Sequence, residues 1–226
     1  MSQEIQSKIA TIWHLSQLGP NPLGGIPGGY GQGAYGRGAF GGIGPPNLEL
    51  MLQAVVTLGG KTTEGQIIEA VGIAWFKIVE ELMRNPNLMH QIDWRKMEEM
   101  IAAAYEAQGW EEVTLTPRSN DDGRDVIAIR HDFGSIRFVD QVKAYSPGHL
   151  VTADDVRSMA GVLLTEPNVS KGIISTTSDF APGVYQNERL KQLMPTRLDL
   201  RNGSKLLEWL NSISRERASK GLLGGV

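Results

Sequence analysis

Between residues 125 and 143 the alternation of side chains leaves the backbone few choices. Val126, Ile127 and Ile129 are β-branched and closely spaced, and Ile136, Phe138 and Val142 recur at even separations beyond a polar run at 132–135. This pattern predicts two short strands, 125–130 and 136–144, joined by a turn over 132–135. Alternate side chains of a strand share a face, so Gln141 and Lys143 are expected to project together, away from the face that buries Ile136, Phe138 and Val142. The expectation is a hairpin with a polar edge, where the acid Asp125, an amide and an amine converge.

Composition limits what such a hairpin can belong to. With 226 residues, 41% of them apolar, the chain can build one sizeable core, or a catalytic domain with a smaller attachment. A formal net charge of -3 excludes a globally basic nucleic-acid coat but permits a local basic groove. The absence of cysteine removes disulfides and thiolate zinc sites, and His14, His90, His131 and His149 show no ligand spacing. A reducing compartment fits. The first residues, MSQEIQSKIATIWHL, lack a basic region followed by a long apolar run, and no stretch approaches the roughly 20 apolar residues of a membrane span. The expectation is a soluble, cytoplasmic protein without membrane contact.

In chain order, residues 2–18 place Ile5, Ile9, Ile12 and Trp13 at near-helical spacing, a short amphipathic helix that must dock on something. Gly and Pro dominate 20–46, with Tyr30, Tyr35, Arg37 and Phe40 interspersed. Such a segment reads as a flexible tether, or as aromatic contacts for self-association or docking. A helix is expected at 47–58, closed by Gly59 and Gly60, and a stronger one at 63–83 carrying Ile67, Ile68, Val71, Ala74, Trp75, Ile78, Val79 and Leu82. Together they predict a helical hairpin forming a unit over 47–92, after a first segment 1–46. Asp93 is a natural N-cap for a helix at 94–108, ended by Gly109, and a domain boundary falls there. Thr152 and Asp155 form a capping box for a helix at 153–165, with Val156, Met159, Ala160, Leu163 and Leu164 inward. Strands follow at 171–176 and 197–200, then a helix at 204–212 with Leu206, Leu207 and Leu210 inward, and a frayed tail from 214 to 226. This alternation predicts an α/β fold, a mixed sheet flanked by helices on both faces.

Metal-assisted phosphodiester hydrolysis needs hard oxygen ligands for a divalent cation and a positive group near the phosphorus. Asp125, Gln141 and Lys143 supply those parts. The arrangement D…QxK on a hairpin, preceded by a helix with an early Glu, resembles the Mrr-like restriction endonucleases of the PD-(D/E)xK nuclease superfamily. Met97-Glu98 stands where that family has Phe-Glu, eleven residues before Gly109-Trp110, which stands for its Gly-Tyr. DDGRD at 121–125 resembles its DGGxD turn, KGIISTTSDFAPGV its strand and turn after the central helix, and RLDLRNGSKLLEWL its last strand and helix. The resemblance covers about 93–213 and implies a restriction-endonuclease-like nuclease domain there.

By that resemblance Asp125 is the main metal ligand and Gln141 a second one through its amide oxygen. The Val142 carbonyl completes the coordination, Glu98 is an auxiliary ligand or a support, and Lys143 stabilises the attacking water or the developing phosphorane charge. Mg²⁺ is the implied cofactor, with Mn²⁺ able to substitute. Gln141 departs from the superfamily's usual carboxylate, which lowers the negative charge of the site and should weaken metal binding. Asp121 and Asp122 read as turn formers, Glu99 as a solvated residue, and His131 and His149 as surface polar groups. Ser175, Thr176 and Thr177 read either as phosphate contacts at a helix start or as plain capping. Lys171, Arg124, Arg118 and Lys191 read either as a backbone-tracking groove or as a solvated face.

The implied function is a Mg²⁺-dependent DNA endonuclease that serves a prokaryotic defence or restriction system. One QxK site cuts one strand, so a homo-oligomer is expected. The N-terminal part shows no winged-helix reader, so control through assembly or a partner protein is expected too. Two other readings stay open: a catalytically silent nucleic-acid-binding or assembly protein with a nuclease fold, and a nuclease for RNA or single strands.

Overall fold

The computed structural model of the chain describes residues 47–117, 123–131 and 134–221. The expected helix at 2–18, the Gly/Pro-rich segment, Arg118, the Asp121 and Asp122 turn and the end of the tail lie outside these residues. Seven strands among the described residues form one sheet whose spatial order is the order of the chain. They are β1 (Val56–Lys61), β2 (Gln66–Val71), β3 (Glu112–Leu115), β4 (Val126–His131), β5 (Ser135–Lys143), β6 (Lys171–Thr176) and β7 (Leu198–Arg201). Pairing is antiparallel from β1 through β5 and parallel from β5 through β7.

The helices are α1 (Leu48–Leu52), α2 (Ile73–Arg84), α3 (Trp94–Ala107), α4 (Ala153–Thr165), α5 (Pro182–Gln186), α6 (Glu188–Lys191) and α7 (Gly203–Ser219). Parallel neighbours need a crossover, and α4 supplies it between β5 and β6. On one face, Trp75, Ile78 and Leu82 of α2, Met97, Met100 and Ile101 of α3, and Leu206 and Leu210 of α7 pack over Leu115, Val126, Ala128 and Ile173. On the other, Val156, Met159 and Leu163 of α4, with Val184 and Leu190, pack over Ile127, Val139, Ile174, Leu198 and Leu200. Successive residues of β4 and β5 therefore feed opposite cores. Ala102, Ala103 and Ala104 are fully buried, so small side chains let α3 lie close to the sheet.

Local signals place the helix starts as expected. The Asp93 carboxylate accepts from the Arg95 N–H at 3.0 Å, and Thr152 and Asp155 make the reciprocal capping box of α4. Other expectations are corrected. The helix expected at 47–58 stops at Leu52, and the one expected at 63–83 begins only at Ile73. Between them lies the β1–β2 hairpin, whose β2 pairs with β3, so no helical hairpin stands apart over 47–92. The spacing of Ile67, Ile68, Val71, Ala74 and Trp75 satisfies a helix, but β3 needs a strand partner, and that demand comes from residues far along the chain. Gly65 permits the close approach: a Cβ there would lie 2.2 Å from the Leu115 carbonyl oxygen.

The expected polar edge is also absent, because β5 lies between β4 and β6 in the middle of the sheet. Ile136, expected inside, is 38% exposed near the start of its strand. Leu164, expected inside, is 82% exposed, and Val162 takes its place in the core. The tail expected to fray from 214 continues as helix to Ser219. Arg217 secures that extension by donating from Nε to the Ala107 carbonyl (2.5 Å) and from Nη2 to the Glu106 carbonyl (3.3 Å), at the C-terminus of α3, where cations are favoured.

Candidate active site

Asp125 stands just before β4 and is tied to β5 twice. Its N–H donates to the Asp140 carbonyl at 3.0 Å, and its Oδ2 accepts from the Val142 N–H at 2.6 Å. The carboxylate is thereby held beside Gln141, one residue from each anchor. Gln141 is 8% exposed, and its Oε1 is buried without a hydrogen-bond donor among the described residues. Its Nε2 lies 3.0 Å from where a Cβ on Gly123 would be, and Gly123 has φ +77°, so a glycine suits this position on both counts. Leaving a buried acceptor unsatisfied costs about 1–3 kcal/mol, so such an oxygen calls for a partner.

A hard divalent cation would meet that demand, since an uncharged amide oxygen next to a carboxylate is an oxygen donor set of the kind Mg²⁺ and Mn²⁺ accept. Among the described residues no three His, Cys, Asp or Glu side chains come together as a cage. A cation at this place would therefore draw on amide and carbonyl oxygens as well as carboxylate.

Lys143, two residues on, shares the Gln141 face of β5, as the alternation predicts. Its Nζ lies 3.6 Å from Oδ1 of Asp155 at the start of α4, and its side chain is 22% exposed. Glu98 sits on α3, 3% exposed, with Oε2 accepting from Arg95 Nη1 at 2.7 Å. That same Arg95 nitrogen donates to the Thr116 carbonyl at 3.0 Å, and the Thr116 N–H donates to the Asp125 carbonyl at 3.0 Å. Glu98 is thus linked to Asp125 through Arg95 and Thr116, an arrangement that suits a support.

The expectation for Ser175, Thr176 and Thr177, phosphate contact at a helix start or plain capping, is corrected. Ser175, Thr176 and Thr177 are buried, and their hydroxyls donate inward: to Asp140 Oδ2 (3.0 Å), the Lys143 carbonyl (2.8 Å) and the Tyr145 carbonyl (2.7 Å). No helix starts directly after them, so the groups stitch β6 and its exit to β5 instead of facing solvent. Arg124 pairs with Glu166 at 2.8 Å, and Lys171 lies 4.0 Å from Asp199, so both cations already face acids. The expected groove residue Lys191 pairs with Glu188 at 2.7 Å. His131 is exposed, and His149 stacks on Tyr145 with ring centroids 4.1 Å apart.

A buried polar cluster next to the site escaped the sequence reading. Asp140, 1% exposed, accepts at Oδ2 from the Tyr105 hydroxyl (2.8 Å), Ser175 Oγ (3.0 Å) and Arg201 Nη1 (3.2 Å). Burial pushes the Asp140 carboxyl above its ordinary range, against the pull of the Arg201 charge and the hydrogen bonds. Tyr105 is held well above its ordinary value, first by burial and then by the Asp140 charge. Arg201 also lies over the Trp209 ring, 3.8 Å from its centroid. The available signal was parity: Asp140 shares the face of Phe138 and Val142, which the alternation had assigned to the core.

The mixed seven-stranded sheet flanked by helices is a restriction-endonuclease-like α/β fold. A protein-family model, Mrr_cat, described as restriction endonuclease, matches residues 89–210, more than half of the chain, and the chain belongs to that family. A curated relative, the protein y4cE of Sinorhizobium fredii, is 22% identical over 138 residues, covering 61% of this chain and 34% of its own. Among solved structures, the DNA modification-dependent restriction endonuclease AspBHI is similar at TM-score 0.37 and 17% identity, over 63% of this chain and 39% of that one. The MspJI restriction endonuclease in complex with a 27-mer oligonucleotide is similar at TM-score 0.39 and 15% identity, over 66% of this chain and 33% of that one. The chain thus spans about a third of the length of these relatives. No helix among the described residues is long and apolar enough to cross a membrane.

Proposed function

We propose that this chain is a metal-dependent endonuclease that hydrolyses DNA phosphodiester bonds, with Asp125, Gln141 and Lys143 as its working residues. The observation that carries the reading is the buried Oε1 of Gln141, without a donor among the described residues, beside the anchored carboxylate of Asp125, with Lys143 on the same strand face. Asp125, Gln141 and the Val142 carbonyl would hold Mg²⁺ or Mn²⁺, which supplies positive charge at the scissile phosphate and a more acidic water. Lys143 donates to the attacking water or to a phosphoryl oxygen and offsets charge that develops there. Asp125 keeps its geometry through the Val142 N–H, and Glu98 supports it through Arg95 and Thr116.

The catalytic unit of this proposal reaches back to about residue 47, because β1 and β2 continue its sheet. One site of this kind cuts one strand, so duplex cleavage calls for at least two copies. Membership of a restriction endonuclease family supports a role in defence against foreign or modified DNA inside the cell, with a partner protein or self-assembly through residues 1–46 as the control. Incubating pure protein with supercoiled plasmid, linear duplex, single-stranded DNA and RNA, each with Mg²⁺, Mn²⁺ or EDTA, tests the reading. Metal-dependent nicking of plasmid is the expected result. Binding without cleavage of any substrate would favour a catalytically silent protein, and cleavage of RNA or single strands alone would move the substrate class.

A further inference from the structure

Lys143 is a cation with three-quarters of its side chain out of solvent, on a strand whose neighbouring position carries a neutral amide. The charge that matches it comes from another element. Asp155 Oδ1 lies 3.6 Å from Lys143 Nζ, and the two side chains are 24% and 22% exposed. The other oxygen of Asp155 is fixed: Oδ2 accepts from the Thr152 N–H (2.9 Å) and from the Thr152 hydroxyl (2.7 Å). One carboxylate therefore closes the capping box of α4 with one oxygen and faces the lysine with the other. A lysine at the N-terminus of a helix also meets the positive end of the helix dipole, which an acid in the first turn offsets.

We propose that Asp155 is a positioning residue of the active site, holding the Lys143 ammonium in place from α4 and replacing the counter-charge that Gln141 does not provide. This rests on the nuclease reading above. Its geometric basis is the two-handed engagement of Asp155, which fixes the carboxylate before any substrate arrives. A second consequence is that the entry to α4, the crossover between β5 and β6, is coupled to the reacting end of β5.

The variant Asp155→Asn separates the two duties of the side chain. Its amide oxygen still accepts from Thr152, so α4 keeps its cap, while the charge facing Lys143 is lost. Expected results are a 10-fold to 100-fold lower kcat on plasmid, in the range that misplacing a catalytic group costs, with KM changed less than about twofold and an unchanged melting temperature. Asp155→Glu, which restores both charge and cap, should recover most of the activity. An arm independent of cleavage measures acylation of individual lysines by mass spectrometry at fixed pH. Lys143 should label about threefold faster in Asp155→Asn than in the parent, the order expected for loss of a partly exposed ion pair, with other lysines unchanged. Parent-like kcat together with parent-like labelling of Lys143 would overturn the proposal. If the parent cleaves nothing, the nuclease reading fails by itself, while the labelling arm still decides whether Asp155 holds Lys143.

Discussion

Replacing Arg201 with methionine should destabilise this protein strongly, and by an amount that depends on pH. Arg201 Nη1 lies 3.2 Å from Asp140 Oδ2 and 3.1 Å from Ser175 Oγ, and the two charged side chains are 13% and 1% exposed. Without the guanidinium, Asp140 keeps the Tyr105 and Ser175 hydroxyls and the Ser175 backbone N–H as donors, none of them charged. Removing one partner of a buried ion pair costs about 3–5 kcal/mol, because the remaining charge stays desolvated. At about 2–4 °C per kcal/mol for a domain of this size, the melting temperature at pH 7 should fall by about 6–20 °C. The Asp140 carboxyl is raised by burial in the folded state, with Arg201 opposing the rise, so Arg201→Met raises it further. A carboxyl raised by folding contributes stability that is fully present below its unfolded value, ordinarily 3.8, and is lost as pH rises through the folded value. The deficit of the variant should therefore shrink as pH falls from 7 toward 4. Circular dichroism melts of both proteins across that range measure this, and the double variant Arg201→Met/Asp140→Leu, which buries no charge but leaves the Tyr105 and Ser175 hydroxyls without their acceptor, should lose the pH dependence of the deficit. A single variant that melts within about 2 °C of the parent at pH 7, or a deficit that does not shrink in acid, would refute the reasoning.

Two further outcomes follow from the site and from the N-terminal segment. Gln141→Glu should remain active and reach half-maximal cleavage at a lower Mg²⁺ concentration than the parent, because a second carboxylate adds a charged ligand for a hard cation; a folded but inactive variant in a metal titration would mean that Gln141 acts through its amide donor. Deleting residues 1–46 should lower the mass seen by light scattering or abolish co-purification of a partner, while far-UV circular dichroism stays that of a folded α/β protein; unchanged mass and partners would make the segment a tether only.

Much of the central sheet was legible because period-two alternation survives in short windows. Gln141 and Lys143 share a face of β5 as their spacing requires, and the strand at 171–176 was read to its last residue. The Asp93 and Thr152 caps were legible too, since their partners lie within three residues. The β1–β2 hairpin was not, because Ile67 to Trp75 fits a helix locally and only the distant β3 settles the matter. Asp140 escaped for the same physical reason: its partners Tyr105, Ser175 and Arg201 stand 35, 35 and 61 residues away. The inward role of the Ser175, Thr176 and Thr177 hydroxyls was not legible beside phosphate contact and capping, because a sequence does not reveal that carbonyls and a carboxylate of the neighbouring β5 region will claim them.

The most direct test of the central claim compares plasmid nicking by the parent, Asp125→Asn and Lys143→Ala under single-turnover conditions with Mg²⁺. Asparagine keeps an acceptor for the Val142 N–H, so the strand junction survives while the charge is removed. Each variant should cleave about 10²-fold to 10³-fold more slowly than the parent, the usual cost of losing one charge-stabilising group, with circular dichroism and DNA affinity little changed. Nicking at the parental rate by either folded variant would contradict the assignment of Asp125, Gln141 and Lys143 as the active site.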